Sequence, residues 1–501
     1  MHPNNAAMVA RASFGVSVCQ NFRASRNAFT NSRRLHYARM SETFQPCIAP
    51  EYGKSLESAP GGMVSKSQKL LLETGMICPA HSTGTFNLLP LFMRSLEKLI
   101  RIIDEEMRAI GCQKLWMPCL QDASIWKTSG RWQTFGGELF RAKDRVGRDL
   151  CVAPTHEECI TSLVASSLHH PSRKRFPLRL YQISTKFRDE MKPKHGVLRA
   201  REFLMKDLYT FDTSETSARE SYNAVCSAYE RILKTLSVQY IKASASTGAM
   251  GGSESHEFLL PCESVGEDLL WICQRCNAAC NEEIVIDSAK SGPVKCPSCS
   301  IENSFNKVHA MEVAHAFLLG ERYSKAFKAN FVDVDGKSRP LIMGCFGIGV
   351  TRLVASAVEC LSSAEQVRWP LRIAPYKVCV VSPKSGSKEA SAIGPLTQIL
   401  CDTLSELPEI AGDVLCDDRD DLTIGRRLND ANKTGYPVVV IVGKEAMAQQ
   451  PKFEVHCGHD PRQRFTFLLQ ELISFLRYSS DLTNHGAAER ANEPVNFSKI
   501  R

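Results

Sequence analysis

Long apolar runs are missing from this 501-residue chain. No stretch of about eighteen consecutive apolar residues occurs, which excludes a membrane-spanning helix of ordinary length and points to a soluble protein with no membrane partner. The longest apolar run of the second half, VVVIV within YPVVVIVGK, has the length of a buried strand. Acidic residues and lysine are missing from the first forty positions, where six arginines (Arg11, Arg23, Arg26, Arg33, Arg34, Arg39) stand among Ser, Ala and Asn. Arg-rich, Ser-containing and acid-free is the composition of an organellar transit peptide, most often mitochondrial, so residues 1–40 are expected to be a presequence. The alternative is a basic disordered tail. Taking its six positive charges from the net +8 leaves +2, so a polyanionic partner must be met by local patches rather than by overall charge.

What is present is ordinary in bulk: 43% hydrophobic and 23% charged residues over a length suited to two or three domains. Cysteine is plentiful at twenty, but a reducing compartment keeps such thiols free, so no disulfide framework is expected. Four cysteines stand apart in WICQRCNAACNEEIVIDSAKSGPVKCPSCS: Cys273 with Cys276, and Cys296 with Cys299. Two CxxC knuckles at this separation can converge four thiolates on a closed, structural Zn2+, with Cys280 as bystander. The alternative is a ribbon of free thiols.

Periodicity predicts amphipathic helices over 90–110 and 215–235. CQKLWMPCL is expected to be an edge strand carrying Pro118. A strand running through glycines into a helix is expected over 341–360, and from about 375 the rhythm becomes strand, helix, strand, helix, strand. There the helix in LTIGRRLNDANKTG is opened by Thr423 and closed by Gly435. The tail from 480 is polar and expected to be disordered.

KFRDEMKPKHGVLRAREF, residues 186–203, holds six basic and three acidic side chains. Strand alternation about the KPKHG turn puts Arg188 with Glu190 on one face, and Arg199, Arg201 and Phe203 on one face of the return strand. Guanidinium forks, a carboxylate and an aromatic plane are the parts needed to bind ATP, although a solvated hairpin has the same composition. The final glycine of GxGxxG is missing from GCFGIGVTRL, which excludes the dinucleotide fingerprint. Arg352 stands in its place, after Gly347 and Gly349, at the start of a helix.

Taken together these motifs resemble the class II aminoacyl-tRNA synthetases. FRDE with the downstream RxxxF is similar to motif 2, GIGVTR to motif 3, and the helix–strand unit ending at Pro118 to motif 1. SGRW, APTHEE, GGSESHEF and EVAH narrow the resemblance to the prolyl branch of bacterial type, over roughly residues 60–475. With the presequence, it narrows further to the mitochondrial members. The resemblance implies a mixed α/β (α+β) fold: an antiparallel-sheet catalytic domain over 60–370 with a ribbon at 270–302, then an α/β anticodon-binding domain over 375–478.

The implied reaction is ATP-dependent ligation of L-proline to tRNA(Pro) through a prolyl-adenylate, with Mg2+ accompanying ATP, in the mitochondrial matrix. Arg188 is implied to meet the α-phosphate and the proline carboxylate, Glu190 the adenine amine, and Phe203 the adenine ring. Arg199 and Arg352 are implied to hold the outer phosphates, and Glu312 to contact phosphate or metal. Thr155 and Glu157 match positions that bind the imino nitrogen, and His256 the position that closes the proline pocket. Asp418, Arg419 and Arg426 are the anticodon candidates, and a homodimer is implied by motif 1. Only about 85 residues separate SHEF from motif 3, so the bacterial editing insertion is expected to be absent.

Two other classes compete. A non-catalytic synthetase paralogue serving as an organellar nucleic-acid-binding accessory would have lost the ATP arginines, which this chain keeps. A zinc-ribbon nucleic-acid module leaves the first 260 residues unexplained. A threonyl enzyme would need metal ligands in its amino-acid pocket.

Overall fold

The computed structural model describes residues 37–46, 64–168, 171–289, 295–296, 298–302, 305–458 and 463–484. Two large sheets organise them. The first has nine strands in the order Glu254–Pro261, Ile241–Ser244, Ala279–Asn281, Asp268–Cys273, Phe305–Gly320, Ile342–Gly349, Glu202–Asp212, Leu178–Phe187 and Gln113–Lys114. Pairing is antiparallel except between Ile241–Ser244 and Ala279–Asn281 and at the short Gln113–Lys114 edge. Glu254–Pro261 also pairs with Phe305–Gly320, closing five strands into a ring.

Three helices cover one face of this sheet. Pro90–Ala109 buries Leu91, Phe92, Leu96, Leu99, Ile102 and Ile103 at helical spacing. Glu215–Thr235 is opened by Ser214, whose hydroxyl accepts from the Ser217 amide, and spans the 215–235 expected from periodicity. Val350–Leu361 follows directly on Ile342–Gly349, as the strand–glycine–helix pattern predicts. Alternation then sorts the side chains. Lys206, Phe346 and His256 turn toward Tyr229 and Tyr222 of the Glu215–Thr235 helix. Phe203, Met205, Cys345, Gly347, His315 and Phe317 turn to the other face, where a cavity opens.

The second sheet runs Ala38–Arg39, Val414–Asp417, Val378–Val381, Val438–Ile441, Lys452–Cys457, Arg464–Leu468, the first four parallel. The predicted helix appears as Ile424–Thr434, with Thr423 accepting from the Arg426 amide and Gly435 at φ 83° ending it. The two units are packed together: Trp369 is buried with its indole on the Thr434 carbonyl, Arg94 lies 3.9 Å from the Tyr376 ring centre, and the Lys98 ammonium meets Asp413 at 2.5 Å.

Three expectations change. Pro118 lies outside any strand, between Gln113–Lys114 and Leu120–Asp122; without an N–H it cannot join the ladder, and its carbonyl faces His156 Nε2 at 3.2 Å. Residues 37–40, expected within the presequence, are part of the fold; the rest of that segment lies outside the described residues. Ala38–Arg39 pairs with Leu415–Cys416, and Met40 is buried in a core cluster that both units share. At the other end the helix Leu469–Asn484 passes the expected start of the polar tail at 480, and residues 485–501 lie outside the described residues.

Candidate active site

The cavity on the open face is about 320 Å³ and draws on motif 2, motif 3 and the loop before the helix Glu157–Ser167. Leu178–Phe187 and Glu202–Asp212 are in register with Lys186 opposite Phe203, so the chain leaving the first strand carries Arg188 and Glu190 over the Phe203 ring. The Arg188 guanidinium carbon is 5.4 Å from that ring centre, and its Nε is buried without a hydrogen-bond partner. Burial, then the facing Arg352, pulls the Arg188 guanidinium below its ordinary pKa, against the opposing pull of Glu312, Glu138 and Glu190. Arg352 is aimed by donating from Nε to the Leu198 carbonyl at 2.7 Å and from Nη1 to the Glu312 carbonyl at 3.2 Å. Two guanidinium groups lining one cavity repel each other, and an anion placed between them would relieve that repulsion.

Gly347 and Gly349 line the same cavity. A Cβ added at Gly347 would meet only Met205, Sδ at 3.7 Å, an ordinary contact, so protein packing does not demand glycine there. The free space lies on the cavity side, where backbone and ligand can approach closely.

A second group of residues occupies the other end. Glu157 is fully buried, and Thr155 Oγ1 donates to its carboxylate at 2.7–2.8 Å. Cys345 Sγ donates to Glu157 Oε1 at 3.0 Å and Arg131 Nη1 to Oε2 at 3.0 Å. Burial raises the Glu157 pKa, but Arg131 and the hydrogen bonds of Cys345, Thr155 and Arg131 outweigh it and hold the carboxylate below its ordinary range. Glu158 goes the other way: burial, and the charge of Glu157, push it up despite Arg131.

Three of the expected residues are placed differently. Arg199 precedes the return strand rather than lying in it. It pairs with Glu190 at 2.9 Å and Glu267 at 2.7 Å, and lines a smaller adjoining cavity of about 30 Å³ shared with Glu312 and Arg352. Arg201 pairs with Asp189 instead of sharing the face of Phe203. His256 is turned from the cavity by strand alternation, its Nδ1 at 2.8 Å from the Tyr222 hydroxyl. The histidine that lines the pocket is His315, stacked on Phe317 with ring centres 3.9 Å apart. Its Nδ1 is 3.0 Å from Glu312 Oε1 and its Nε2 2.5 Å from Ser255 Oγ. The motifs EVAH and SGRW, read in sequence, give no role to His315 or Arg131. The register that pairs Glu257 with His315 and His256 with Ala316 is the signal that separates the two histidines.

Donor atoms of Glu257, Glu312 and His315 all lie within 4.8 Å of one another. Burial, then Glu312, raises Glu257 to about 7; His315, Arg352 and Arg188 outweigh burial and hold Glu312 at about 2. Two carboxylates there suit a hard divalent cation, whereas His315 is already engaged by Glu312 and Ser255. The four ribbon thiols also converge within 4.8 Å, Cys273 Sγ 3.6 Å from Cys299 Sγ and Cys276 Sγ 3.5 Å from Cys296 Sγ. Sulfurs at ~2.3 Å around a tetrahedral zinc are about 3.8 Å apart, so this donor set fits Zn2+. Cys280 turns away, its thiol toward the Trp271 carbonyl.

Of the anticodon candidates, Asp418 accepts from the Ser41 amide at 2.9 Å and its hydroxyl at 2.7 Å, and Arg419 forks onto Asp417 and reaches Asp430. Arg426 projects outward, its side chain 69% exposed.

Two family profiles match the chain: the tRNA synthetase class II core domain (G, H, P, S and T) over residues 140–360 and the anticodon binding domain over 377–478. Among curated proteins, the chain is 47% identical to a probable mitochondrial proline--tRNA ligase of Rattus norvegicus, over 83% of this chain and 86% of that one. It is 45% identical to the Homo sapiens counterpart, over 85% and 88%. A proline--tRNA ligase of Anaplasma phagocytophilum is 38% identical over 78% and 91%. Among solved structures, a prolyl-tRNA synthetase of Cryptosporidium parvum complexed with L-proline and AMP aligns with TM-score 0.67 at 16% identity, covering 90% of this chain and 80% of that one. At that identity the likeness speaks to fold alone.

Proposed function

The chain belongs to the prolyl-tRNA synthetases of class II, and from that premise we propose how its own residues carry the ligation of proline to tRNA(Pro) at the expense of ATP. Arg188 lines the cavity that both groups of residues share and bridges the reacting partners, one side on the α-phosphate and the other on the proline carboxylate. Phe203 carries the adenine ring, Glu190 accepts from its amine, and Gly347 and Gly349 let the nucleotide approach the backbone. Arg352, with Arg199 from the adjoining cavity, takes the outer phosphates. Glu157 and Thr155 receive the prolyl ammonium, and His315 with Phe317 supplies the pocket wall in place of His256.

In the first step a proline carboxylate oxygen attacks the α-phosphorus in line. The bond to the bridging oxygen breaks and pyrophosphate leaves. In the second step the terminal ribose hydroxyl of the tRNA attacks the activated carbonyl, the ester forms and AMP departs. The carboxylate is already a nucleophile, so alignment and neutralisation of charge carry most of the first step. The observation that carries this reading is that Arg188, with its Nε buried and unpartnered, and Arg352 line one cavity with the buried Glu157.

Glu312 and Glu257 would hold a Mg2+ accompanying ATP, which would supply positive charge to the phosphates. Cys273, Cys276, Cys296 and Cys299 would hold a structural Zn2+. Two such chains form a homodimer through the motif 1 segment, where Trp116 is 76% and Leu120 59% exposed. Arg426 leads the anticodon contacts. Relatives 45–47% identical are named mitochondrial, and within that organelle the protein works in the matrix.

Amino-acid-dependent ATP–pyrophosphate exchange tests the reading. Exchange strong with proline, weak with alanine and absent with the other amino acids is expected. A folded chain that binds tRNA yet exchanges with none of them would instead mark a non-catalytic paralogue.

A further inference from the structure

Arg131 is buried to 1% exposure, yet no step above uses it. Its Nη1 donates to Glu157 Oε2 at 3.0 Å and to Glu158 Oε1 at 3.1 Å, and Nη2 lies 3.3 Å from Met250 Sδ. Ser129, two residues earlier, donates from Oγ to the same Glu158 oxygen at 2.7 Å. The rings of Trp126, Phe135 and Tyr323 surround the guanidinium carbon at 5.2, 5.1 and 5.8 Å. A guanidinium clasped by two carboxylates and three rings cannot rotate, and it lines the cavity wall next to Glu157.

We propose that Arg131 is a positioning residue for amino-acid selection: it holds the Glu157 carboxylate in the orientation that receives the prolyl ammonium, while Glu158, itself held by the Ser129 hydroxyl, anchors the guanidinium. This rests on the assignment of Glu157 to the imino nitrogen. A carboxylate sealed from water with no counter-charge takes up a proton, and a carboxylic acid is a poor partner for an ammonium. Arg131 supplies that counter-charge: its single nitrogen Nη1 meets both carboxylates, and the planar guanidinium that presents it is seated among three rings, a seat the point charge on the flexible lysine stem fills less well.

The other groups facing Glu157 do not compete for this role. The Cys345 thiol and the Tyr209 and Tyr323 phenols are all pushed up by burial. Burial lowers His156 to about 4, and Thr155 does not titrate. Between pH 6 and 9 the ionisation around Glu157 therefore rests on Arg131 and on Glu158, which burial and Glu157 push up.

The test is ATP–pyrophosphate exchange with the full chain, titrating proline and ATP separately from pH 6 to 9. Arg131→Lys keeps the charge and loses the planar group seated among the rings. Its KM for proline is expected to rise about 10- to 100-fold, the scale of a small misplacement, with KM for ATP within about twofold of the parent. Arg131→Met removes the charge. Its KM for proline is expected to rise further and to climb as pH falls, because an unpaired Glu157 has a raised pKa and is protonated below it. A folded Arg131→Met with the parent's proline KM and a flat pH profile overturns the proposal, as does an equal loss for proline and ATP. If Arg131→Met does not fold, Arg131→Lys decides; if neither folds, Arg131 serves the fold and the proposal fails. Glu157→Gln separates the two readings. An unchanged proline KM in that variant refutes the Glu157 assignment, whereas a raised one with unaltered Arg131→Lys refutes only the present inference.

Discussion

Residues 37–46 cross from one unit to the other, and the strength of that strap can be worked from its contacts. Ala38–Arg39 extends the second sheet, Ser41 gives two hydrogen bonds to Asp418, Met40 enters the core cluster that both units share at 8% exposure, and Gln45 Nε2 donates to the Thr74 carbonyl at 2.7 Å. Truncating a buried Met to Ala costs ~2–5 kcal/mol. Met40 sits at the edge of its cluster, so about 2 kcal/mol is appropriate, a factor of roughly 30 in the opening equilibrium. Removing the acceptor in Asp418→Ala costs about 1 kcal/mol for its partly exposed bonds, roughly fivefold. Both act on one opening, so their effects combine until the docking free energy of the strap is exhausted. Trypsin cleavage after Arg39 in native buffer, followed by mass spectrometry, reads the open fraction when reclosing outruns cutting. Cleavage should accelerate about 30-fold in Met40→Ala and about fivefold in Asp418→Ala, with the remaining fragments intact. Equal rates in parent and Met40→Ala, within about twofold, would refute the idea that this strap is docked.

Metal analysis of the purified chain should find one zinc per chain, lost in Cys299→Ser and accompanied by faster proteolysis within 270–302; a zinc-free parent with a stable ribbon counts against the site. Trp116→Glu places a charge on the exposed motif 1 segment, and sedimentation should then show monomers where the parent is dimeric; an unaltered dimer moves the interface elsewhere. Alanine lacks the ring of proline, and a pocket separates such near neighbours by only ~1–3 kcal/mol per methylene. With the interval between SHEF and motif 3 filled by strands and ribbon, alanyl-tRNA(Pro) should persist on incubation with the chain; its rapid hydrolysis would reveal an editing site.

The parts of this fold that are legible in the sequence are those that local physics decides. The helix Pro90–Ala109 follows from its apolar period, and Ile424–Thr434 from a threonine that caps and a glycine that can take φ 83°. The motif 2 return strand begins later than alternation suggests. His195 at φ 59° leads into the short turn Gly196–Leu198, so pairing begins only at Glu202, and Arg199 and Arg201 leave the face they share with Phe203 in a continuous strand. That depends on where the chain is held by Arg352 and by Glu267, both distant in sequence.

The two histidines make the limit concrete. Alternation says that neighbours along a strand face opposite ways, but not which way the pocket lies. His256 and His315 are equally plausible until Glu254–Pro261 is laid against Phe305–Gly320 with Glu257 opposite His315. Cross-strand partners share a face, so His315 joins Glu257 and Glu312 at the cavity while His256 goes to the helix side. Arg131 escapes for a different reason: SGRW has no spacing that marks a buried cation, and its meaning appears only where the fold sets it against Glu157 and Glu158. The charges readable from sequence are thus the ones awaiting a ligand, Arg188 and Arg352. The charge that only the fold discloses is already neutralised within the protein, and it arranges a residue that the ligand will meet.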